Sequence, residues 1–88
     1  MKVKGKWYVY MLECSDHTIY TGITKDLDVR VAAHNSGKGA KYTRGRTPVT
    51  LKAEWEFGSR SEASEIEYAL KKLSKEQKLE CIRSGKLP

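Results

Sequence analysis

The chain has 88 residues, of which 39% are hydrophobic, and its formal net charge is +6 at pH 7. This length predicts one domain over residues 1–88, and the hydrophobic content excludes a disordered tail. The positive charge favours a polyanionic partner such as a nucleic acid. The longest apolar run, Trp7 to Leu12, is too short to cross a bilayer, and the two distant cysteines form no disulfide framework, so we expect a cytoplasmic protein.

Two short tyrosine-bearing segments predict a β-hairpin at the start of the chain. Lys6–Cys14 and Thr18–Ile23 are rich in aromatic and β-branched residues, and turn-forming residues separate them. The first strand is apolar on both faces, which is typical of a strand that is covered on both sides. A three-residue loop would put Tyr10 and Tyr20 on one face with a gap at Gly22, whereas a four-residue loop would break that parity.

A helix is expected next, capped by Thr24 or Asp26 and ending near Asn35, before Gly37. The residues on one face of this helix are Leu27, Val31 and His34, with Arg30 beside them. An arginine and a histidine are unusual at the border of a core-facing stripe. Taken alone, this helix is better explained by a snorkelling arginine and a hydrogen-bonded histidine at the core edge.

The segment Gly37–Arg46 is rich in glycine and in cationic residues. It has no periodic pattern, so we expect a mobile loop without a regular element. Its cations could follow a phosphate backbone and its tyrosine could stack on a base, or the segment could be a solvated linker. The residues concerned are Lys38, Lys41, Tyr42, Arg44 and Arg46.

Apolar and polar residues alternate over Val49–Phe57, which predicts an edge strand with one buried and one polar face. Ser59 and Glu62 then form a capping box that would open a helix over Arg60–Leu73. Glu67 lies on the border of the apolar stripe of this helix. There it could be half-buried beside a metal ion or a cation, or it could form a surface pair with the lysine four residues later.

A second capping box, Ser74 with Gln77, predicts a short last helix that Gly85 ends. Leu79 and Ile82 are expected on its inner face. The many lysines of this helix are most simply explained as a solvated face.

Several of these features occur together in the order of a known family. They are Tyr8-Val9-Tyr10, Tyr20-Thr21-Gly22, Arg30, a run from His34 to Thr43, and Glu67 in the middle of a helix. This order resembles the GIY-YIG nuclease domain, and most of all the small stand-alone bacterial GIY-YIG proteins, from about Lys6 to Ile82. The resemblance implies an α/β fold, in which a three-stranded antiparallel sheet carries helices on both faces in the order β-β-α-β-α-α.

The resemblance also implies a metal-dependent endonuclease that hydrolyses phosphodiester bonds in DNA, or alternatively in RNA, with structure-selective or weak specificity. The implied catalytic residues are Tyr10, Tyr20, Arg30 and His34, and Glu67 is the implied ligand of one Mg²⁺ or Mn²⁺ ion. Tyr20 would be the general base, and it would need nearby positive charge because an ordinary phenol titrates near pH ~10. The expected nucleic-acid-binding residues are Lys25, Lys38, Lys41, Tyr42, Arg44 and Arg46.

The chain departs from the family pattern at several positions. Tyr8 and Thr21 stand where the motifs have glycine and isoleucine. Ile23 stands where some members carry lysine, so either Lys25 takes that role or the role is absent. Family nucleases usually gain target choice from an attached DNA-binding domain. We expect a monomer without one, and a separate protein partner could then supply specificity.

Two other functions are compatible with the same sequence. One is a nucleic-acid-binding module without catalysis on the same fold. The other is a protein-interaction domain stabilised by metal, in which zinc would be held by Cys14, His17, His34 and Cys81.

Overall fold

The computed structural model describes residues 5–88. Its strands and helices are β1 (Trp7–Glu13), β2 (Ile19–Thr24), α1 (Leu27–Asn35), β3 (Thr50–Phe57), α2 (Arg60–Lys71) and α3 (Lys75–Ser84). This is the predicted order of elements, and the three strands form one antiparallel sheet as expected. No helix in residues 5–88 has both the length and the apolar character needed to cross a membrane.

The hairpin between β1 and β2 has a three-residue loop. The Cys14 backbone N–H donates to the Thr18 carbonyl at 2.9 Å, and His17 in the loop has a φ of 67°. A left-handed third residue is typical of a three-residue hairpin loop built on a tight turn and a bulge. The resulting register pairs Tyr10 with Gly22 and puts Tyr20 on the same face as Tyr10. The parity that a three-residue loop predicts is therefore confirmed.

The core consists of two apolar clusters, one on each face of the sheet. The first lies on the α1 side and contains Tyr8, Tyr10, Leu12, Cys14, Leu27 and Val49. The second lies under α2 and α3 and contains Val9, Met11, Ile19, Ala63, Leu70 and Cys81. Strand β1 contributes alternate residues to both clusters, as a strand covered on both faces must. The predicted arrangement, with helices on both faces of the sheet, is confirmed.

The same layering shows that the zinc hypothesis is wrong. Cys14 and Cys81 are both buried, but they belong to the clusters on opposite faces of the sheet. Within residues 5–88 there is no group of three or more histidine, cysteine, aspartate or glutamate side chains that could hold a metal ion.

Strand β3 lies at a sheet edge, as predicted, but it does not have a single buried face. The sheet order is β2-β1-β3, and the pairing of β3 with β1 shifts by one residue between Met11 and Leu12. Such a bulge moves the following side chains to the other face. Leu51 therefore packs with the α1 side, whereas Ala53 and Trp55 pack under α2 and α3.

The cationic segment after α1 is more structured than its sequence predicts. Lys41–Thr43 form a turn of 3-10 helix, and the Ser15 N–H donates to the Arg46 carbonyl at 2.7 Å. The Arg46 guanidinium also pairs with Asp16 in the hairpin loop. The expectation of a loop without a regular element is therefore wrong, and backbone and side-chain bonds tie this segment to the hairpin.

The C-terminal helices depart from the prediction in three details. Helix α2 ends at Lys71, two residues before the predicted end. Ser59 caps it by accepting from the Glu62 N–H, but the Glu62 carboxylate accepts from the Ser59 hydroxyl instead of from the backbone. In α3 the capping box and the Gly85 end are present. Its inner face is built around buried Cys81 and includes Ile82 as predicted, but Leu79 is 40% exposed.

Candidate active site

The centre of the site is a hydrogen bond between two buried side chains from different elements. The Tyr10 hydroxyl of β1 lies 2.9 Å from Nε2 of His34 near the end of α1. Tyr10 is 1% exposed and His34 is not exposed at all. Sequence reasoning left open whether His34 was a catalytic group or a core histidine, and it is a fully buried residue that bonds to a motif tyrosine.

The other ring nitrogen of His34 determines which tautomer is present. The Ala40 backbone N–H points to Nδ1 at 3.3 Å, and the Thr43 hydroxyl lies 2.8 Å from the same atom. A backbone N–H can only donate, so we assign the lone pair to Nδ1 and the proton to Nε2. The Nε2–H then donates to the Tyr10 oxygen, and the hydroxyl proton of Tyr10 is left to donate elsewhere.

Burial and the nearby arginine set the charge states of this pair. Burial raises the pKa of Tyr10 to about 12, although hydrogen bonding from Arg30 opposes the rise. Burial and, to a smaller extent, the positive charge of Arg30 lower the pKa of His34 below its ordinary value. Both side chains are therefore neutral near pH 7, and Tyr10 keeps its proton.

Two glycines make room for this arrangement. A Cβ at Gly22, directly opposite Tyr10 in the sheet, would lie 2.6 Å from the Tyr10 hydroxyl oxygen. A Cβ at Gly39 would lie 2.3 Å from Nδ1 of His34 and 2.8 Å from its Cα. Both distances are far below van der Waals contact, so the site requires glycine at both positions. The gap predicted at Gly22 is the space into which the Tyr10 phenol fits.

Tyr20 joins the same group through ring contacts. Its centroid is 5.2 Å from that of His34, in an edge-to-face arrangement, and 6.3 Å from that of Tyr10. On the outside, Tyr42 stacks on Tyr20 at 5.8 Å with an interplanar angle of 26°. The Arg46 guanidinium lies 4.4 Å from the Tyr42 ring centroid. The aromatic rings thus form a row that runs from the buried histidine to the surface.

Glu67 approaches from α2, which packs on the opposite face of the sheet. Its side chain is 22% exposed, and its Oε2 lies 3.3 Å from Nζ of Lys71. Its negative charge is the smallest of the influences that raise the pKa of Tyr10, so the carboxylate is electrostatically coupled to the phenol. Glu67 is thus partly buried and also pairs with the lysine four residues later, so the surface pair considered from the sequence is present.

A divalent cation fits this environment only as a partly hydrated ion. Glu67 does not belong to any group of three or more histidine, cysteine, aspartate or glutamate ligands in residues 5–88. Mg²⁺ commonly keeps several waters and binds through one or two carboxylates, so one partly buried glutamate is a suitable donor for it.

The expected nucleic-acid-binding residues lie in different places. Lys38, Lys41 and Arg44 are exposed near the outer end of the aromatic row, and Tyr42 is 41% exposed. Lys25 has its Nζ 5.5 Å from the Trp7 ring, against which Arg60 also packs.

Sequence reasoning missed two lysines close to this group. Lys71 of α2 and Lys78 of α3 line a cleft of about 340 Å³ together with Tyr20, Thr21 and Tyr42. No sequence signal joins these lysines, because they belong to separate helices whose relative placement depends on how each packs on the sheet.

Comparison with known proteins identifies the family. Residues 6–80 match the GIY-YIG catalytic domain. The chain is 61% identical over 71 residues to a UPF0213 protein of Halobacterium salinarum, a match that covers 81% of this chain and 92% of the relative. It is 49% identical over 78 residues to a UPF0213 protein of Staphylococcus haemolyticus, covering 89% of this chain and 95% of the relative.

Two solution NMR structures are similar to this fold. One is the protein EF2693 from E. faecalis, at 41% identity with a TM-score of 0.66, covering 96% of this chain and 90% of that one. The other is the UPF0213 protein BH0048 from Bacillus halodurans, at 51% identity with a TM-score of 0.58, covering 89% of this chain and 83% of that one. The chain therefore belongs to the GIY-YIG nuclease family, among its small stand-alone UPF0213 members.

Proposed function

We propose that this protein is a divalent-metal-dependent endonuclease that hydrolyses phosphodiester bonds in DNA, or alternatively in RNA. The observation that carries the proposal is the buried hydrogen bond between Tyr10 and His34, with Tyr20 in ring contact with the histidine. A buried polar network of this kind is unfavourable unless all its members are paired, and a packing role alone would be served by apolar residues.

Each residue of the site has a role that its environment supports. Arg30 supplies fixed positive charge for the phosphoryl oxygens. Tyr10 keeps its proton because of its raised pKa, so it acts as a hydrogen-bond donor to the phosphate or to the attacking water. Tyr20, the other tyrosine of the group, then accepts the proton of that water as the general base. His34 holds Tyr10 in position.

Glu67 is the residue that would hold the divalent ion. When bound, such an ion polarises the phosphate and stabilises the leaving oxygen. The partial burial of the carboxylate and its electrostatic effect on the pKa of Tyr10 support this assignment. One ion, Mg²⁺ or Mn²⁺, is sufficient for this role.

The substrate is proposed from charge and from exposed cations. The net charge of +6 and the exposed Lys38, Lys41 and Arg44 beside the aromatic row favour contacts to a phosphate backbone. Such contacts follow the backbone without reading bases, so we propose structure-selective or weak sequence specificity.

The experiment is a nicking assay with Mg²⁺ or Mn²⁺ on supercoiled, duplex, branched and single-stranded DNA and on an RNA hairpin. Wild type should cut at least one substrate. Glu67→Ala should abolish cutting while largely retaining binding, and Glu65→Ala, an exposed carboxylate of the same helix, is the matched control. If wild type and Glu67→Ala bind alike and neither cuts any substrate, the enzyme assignment is wrong.

A second candidate is a nucleic-acid-binding module without catalysis. The ion pair between Glu67 and Lys71 favours it, because the lysine ammonium occupies part of the coordination capacity of the carboxylate that a metal would need. Binding of the substrates without cutting, under every metal condition, is the result that selects this function.

A further inference from the structure

The free edge of β2 borders the cleft of about 340 Å³, next to the candidate active site. Tyr20 and Tyr42 of the aromatic row line part of this cleft. Lys71 and Lys78, from two different helices, also line it. The cleft therefore combines aromatic faces with two cationic side chains.

Thr21 lines the same cleft, and its side chain carries an unpaired polar atom. Its side chain is 3% exposed, and its hydroxyl is the buried side-chain polar atom in residues 5–88 that has no hydrogen-bond partner. Buried hydroxyls are nearly always paired, and leaving one unpaired is unfavourable. Isoleucine, the motif residue at this position, would fill similar space without a hydroxyl. The threonine therefore supplies a donor that packing does not need.

The backbone at Thr21 is also free on the open edge. The bond between Cys14 and Thr18 makes theirs a hydrogen-bonded pair, and such pairs recur at every second residue of an antiparallel ladder. Thr21, opposite Met11, falls on a non-hydrogen-bonded pair, so its N–H points away from β1. An edge strand of this kind presents unpaired donors to a ligand.

The charges at the cleft have the sign that an anion requires. Lys71 also pairs with Glu67, so the cleft is continuous with the candidate active site. No carboxylate among residues 5–88 lies within ion-pair distance of Lys78. Lys78 is nevertheless only partly exposed, which leaves its positive charge uncompensated in a sheltered position.

We propose that this cleft is a second phosphate site, which binds a backbone phosphate next to the one that is cut. The Thr21 hydroxyl donates to a phosphate oxygen, and Lys78 and Lys71 neutralise its charge. A strand lying along the edge of β2 meets Tyr20 and Gly22 on one face and Thr21 on the other. This inference rests on the proposed nucleic-acid substrate and not on catalysis.

Three variants test the site through binding to a short DNA duplex without divalent metal. Thr21→Val should weaken binding about three- to tenfold, the effect of one hydrogen bond, and leave the dependence on salt unchanged. Lys78→Met should weaken binding and reduce the slope of log K against log salt by about 0.9, the effect of one phosphate contact. Lys75→Met removes the same charge from the same helix outside the cleft and should change neither quantity.

Thermal unfolding separates a ligand role from a structural one. Because the Thr21 hydroxyl has no partner, Thr21→Val should keep or raise Tm while binding falls. Binding by Thr21→Val and Lys78→Met at wild-type affinity would overturn the proposal, even if the wild type proves to be a nuclease. Conversely, the predicted losses in a protein that cuts no substrate would uphold the phosphate site and reject the enzyme.

The chemical class of the ligand is tested with two further probes. Inorganic phosphate should shift the amide NMR signals of residues 21 and 78 in the wild type, and about three- to tenfold more phosphate should be needed for the same shift in Thr21→Val. Poly-glutamate is the competing polyanion. If it binds as tightly as the duplex and with the same dependence on Thr21, the ligand is an acidic protein segment and the assignment to a nucleic-acid backbone is wrong.

Discussion

Tyr10 and His34 are joined by a 2.9 Å hydrogen bond in a part of the protein that solvent does not reach. The two residues come from β1 and α1, so the bond fixes the helix against the sheet as well as the phenol against the ring. Because the Ala40 N–H points to the other ring nitrogen, the histidine has its proton on the side of the tyrosine. Four predictions concern this relationship and the site around it.

The first prediction concerns the charge state of His34. Its folded pKa is depressed, so the stability that neutral His34 contributes is complete above the unfolded pKa of ~6.5 and is lost as pH falls through the folded value. Imidazole nitrogen NMR should show a neutral ring protonated on Nε2 at pH 7 and a midpoint below 6.5. The His34 imidazole signal is identified with His17→Gln, a variant that removes the exposed histidine. A ring that is positively charged at pH 7 would contradict the hydrogen-bond assignment.

The second prediction concerns the loss of folding stability at alkaline pH. The pKa of Tyr10 is raised to about 12, so its contribution is complete below the unfolded pKa of ~10 and is lost as pH rises through 12. The rise corresponds to roughly 2–3 kcal/mol of unfolding free energy. The unfolding free energy of Tyr10→Phe, measured with urea, should therefore fall less between pH 10 and 12 than that of the wild type, by this amount. Tyr68→Phe, at an exposed tyrosine, is the control, and its unfolding free energy should fall as much as that of the wild type. An equally large fall in Tyr10→Phe would refute the assignment.

The third prediction concerns the two glycines that contact the pair. Gly39→Ala would set a methyl group 2.3 Å from Nδ1 and 2.8 Å from the backbone of His34, so the segment after α1 must move away. We expect about 1–3 kcal/mol of destabilisation and loss of the NMR signature of neutral His34. Gly22→Ala should displace the Tyr10 hydroxyl in the same way.

Gly58→Ala is the control for both glycine variants, because its added methyl group would meet Glu62 at an ordinary 3.5 Å. It should unfold close to the wild type and keep the histidine signal. Equal stability of Gly39→Ala and Gly58→Ala would mean that the close approach at His34 is not required.

The sequence predicted the element order and the hairpin parity because these depend on local patterns. The tyrosines alternate with period two, and Asp26 and Ser74 begin helices through their own side chains. The bulge in β3 left no such trace. Its strict alternation of apolar and polar residues predicts one buried face, and only the pairing with β1 reveals the shift between Met11 and Leu12.

The limits of prediction in the site are also physical. The resemblance indicated Tyr10, Arg30 and His34, but the hydrogen bonds of Ala40 and Thr43 to the ring depend on a turn in a segment without periodicity. On the inner face of α3, Ile82 was predicted correctly, but Leu79 was preferred to Cys81 because leucine is more apolar than cysteine. Helix packing on the sheet nevertheless buries Cys81 and leaves Leu79 exposed. Lys78 belongs to a cleft that exists only once both helices are in place.

The fourth prediction addresses the proposed chemistry through Tyr20. Tyr20→Phe keeps the ring that contacts His34 and Tyr42 and removes only the hydroxyl. Loss of a positioned general base typically lowers a rate about 10²–10⁴-fold. Tyr68→Phe removes an exposed hydroxyl from α2 and is the matched control.

The most direct measurement is therefore the single-turnover rate of phosphodiester cleavage with Mg²⁺ or Mn²⁺, taken together with DNA affinity, for wild type, Tyr20→Phe and Tyr68→Phe. The account predicts cleavage by wild type and Tyr68→Phe, and at least about a hundredfold slower cleavage by Tyr20→Phe at nearly unchanged affinity. Cleavage by Tyr20→Phe at the wild-type rate, or no cleavage by the wild type of any DNA or RNA substrate, would contradict it.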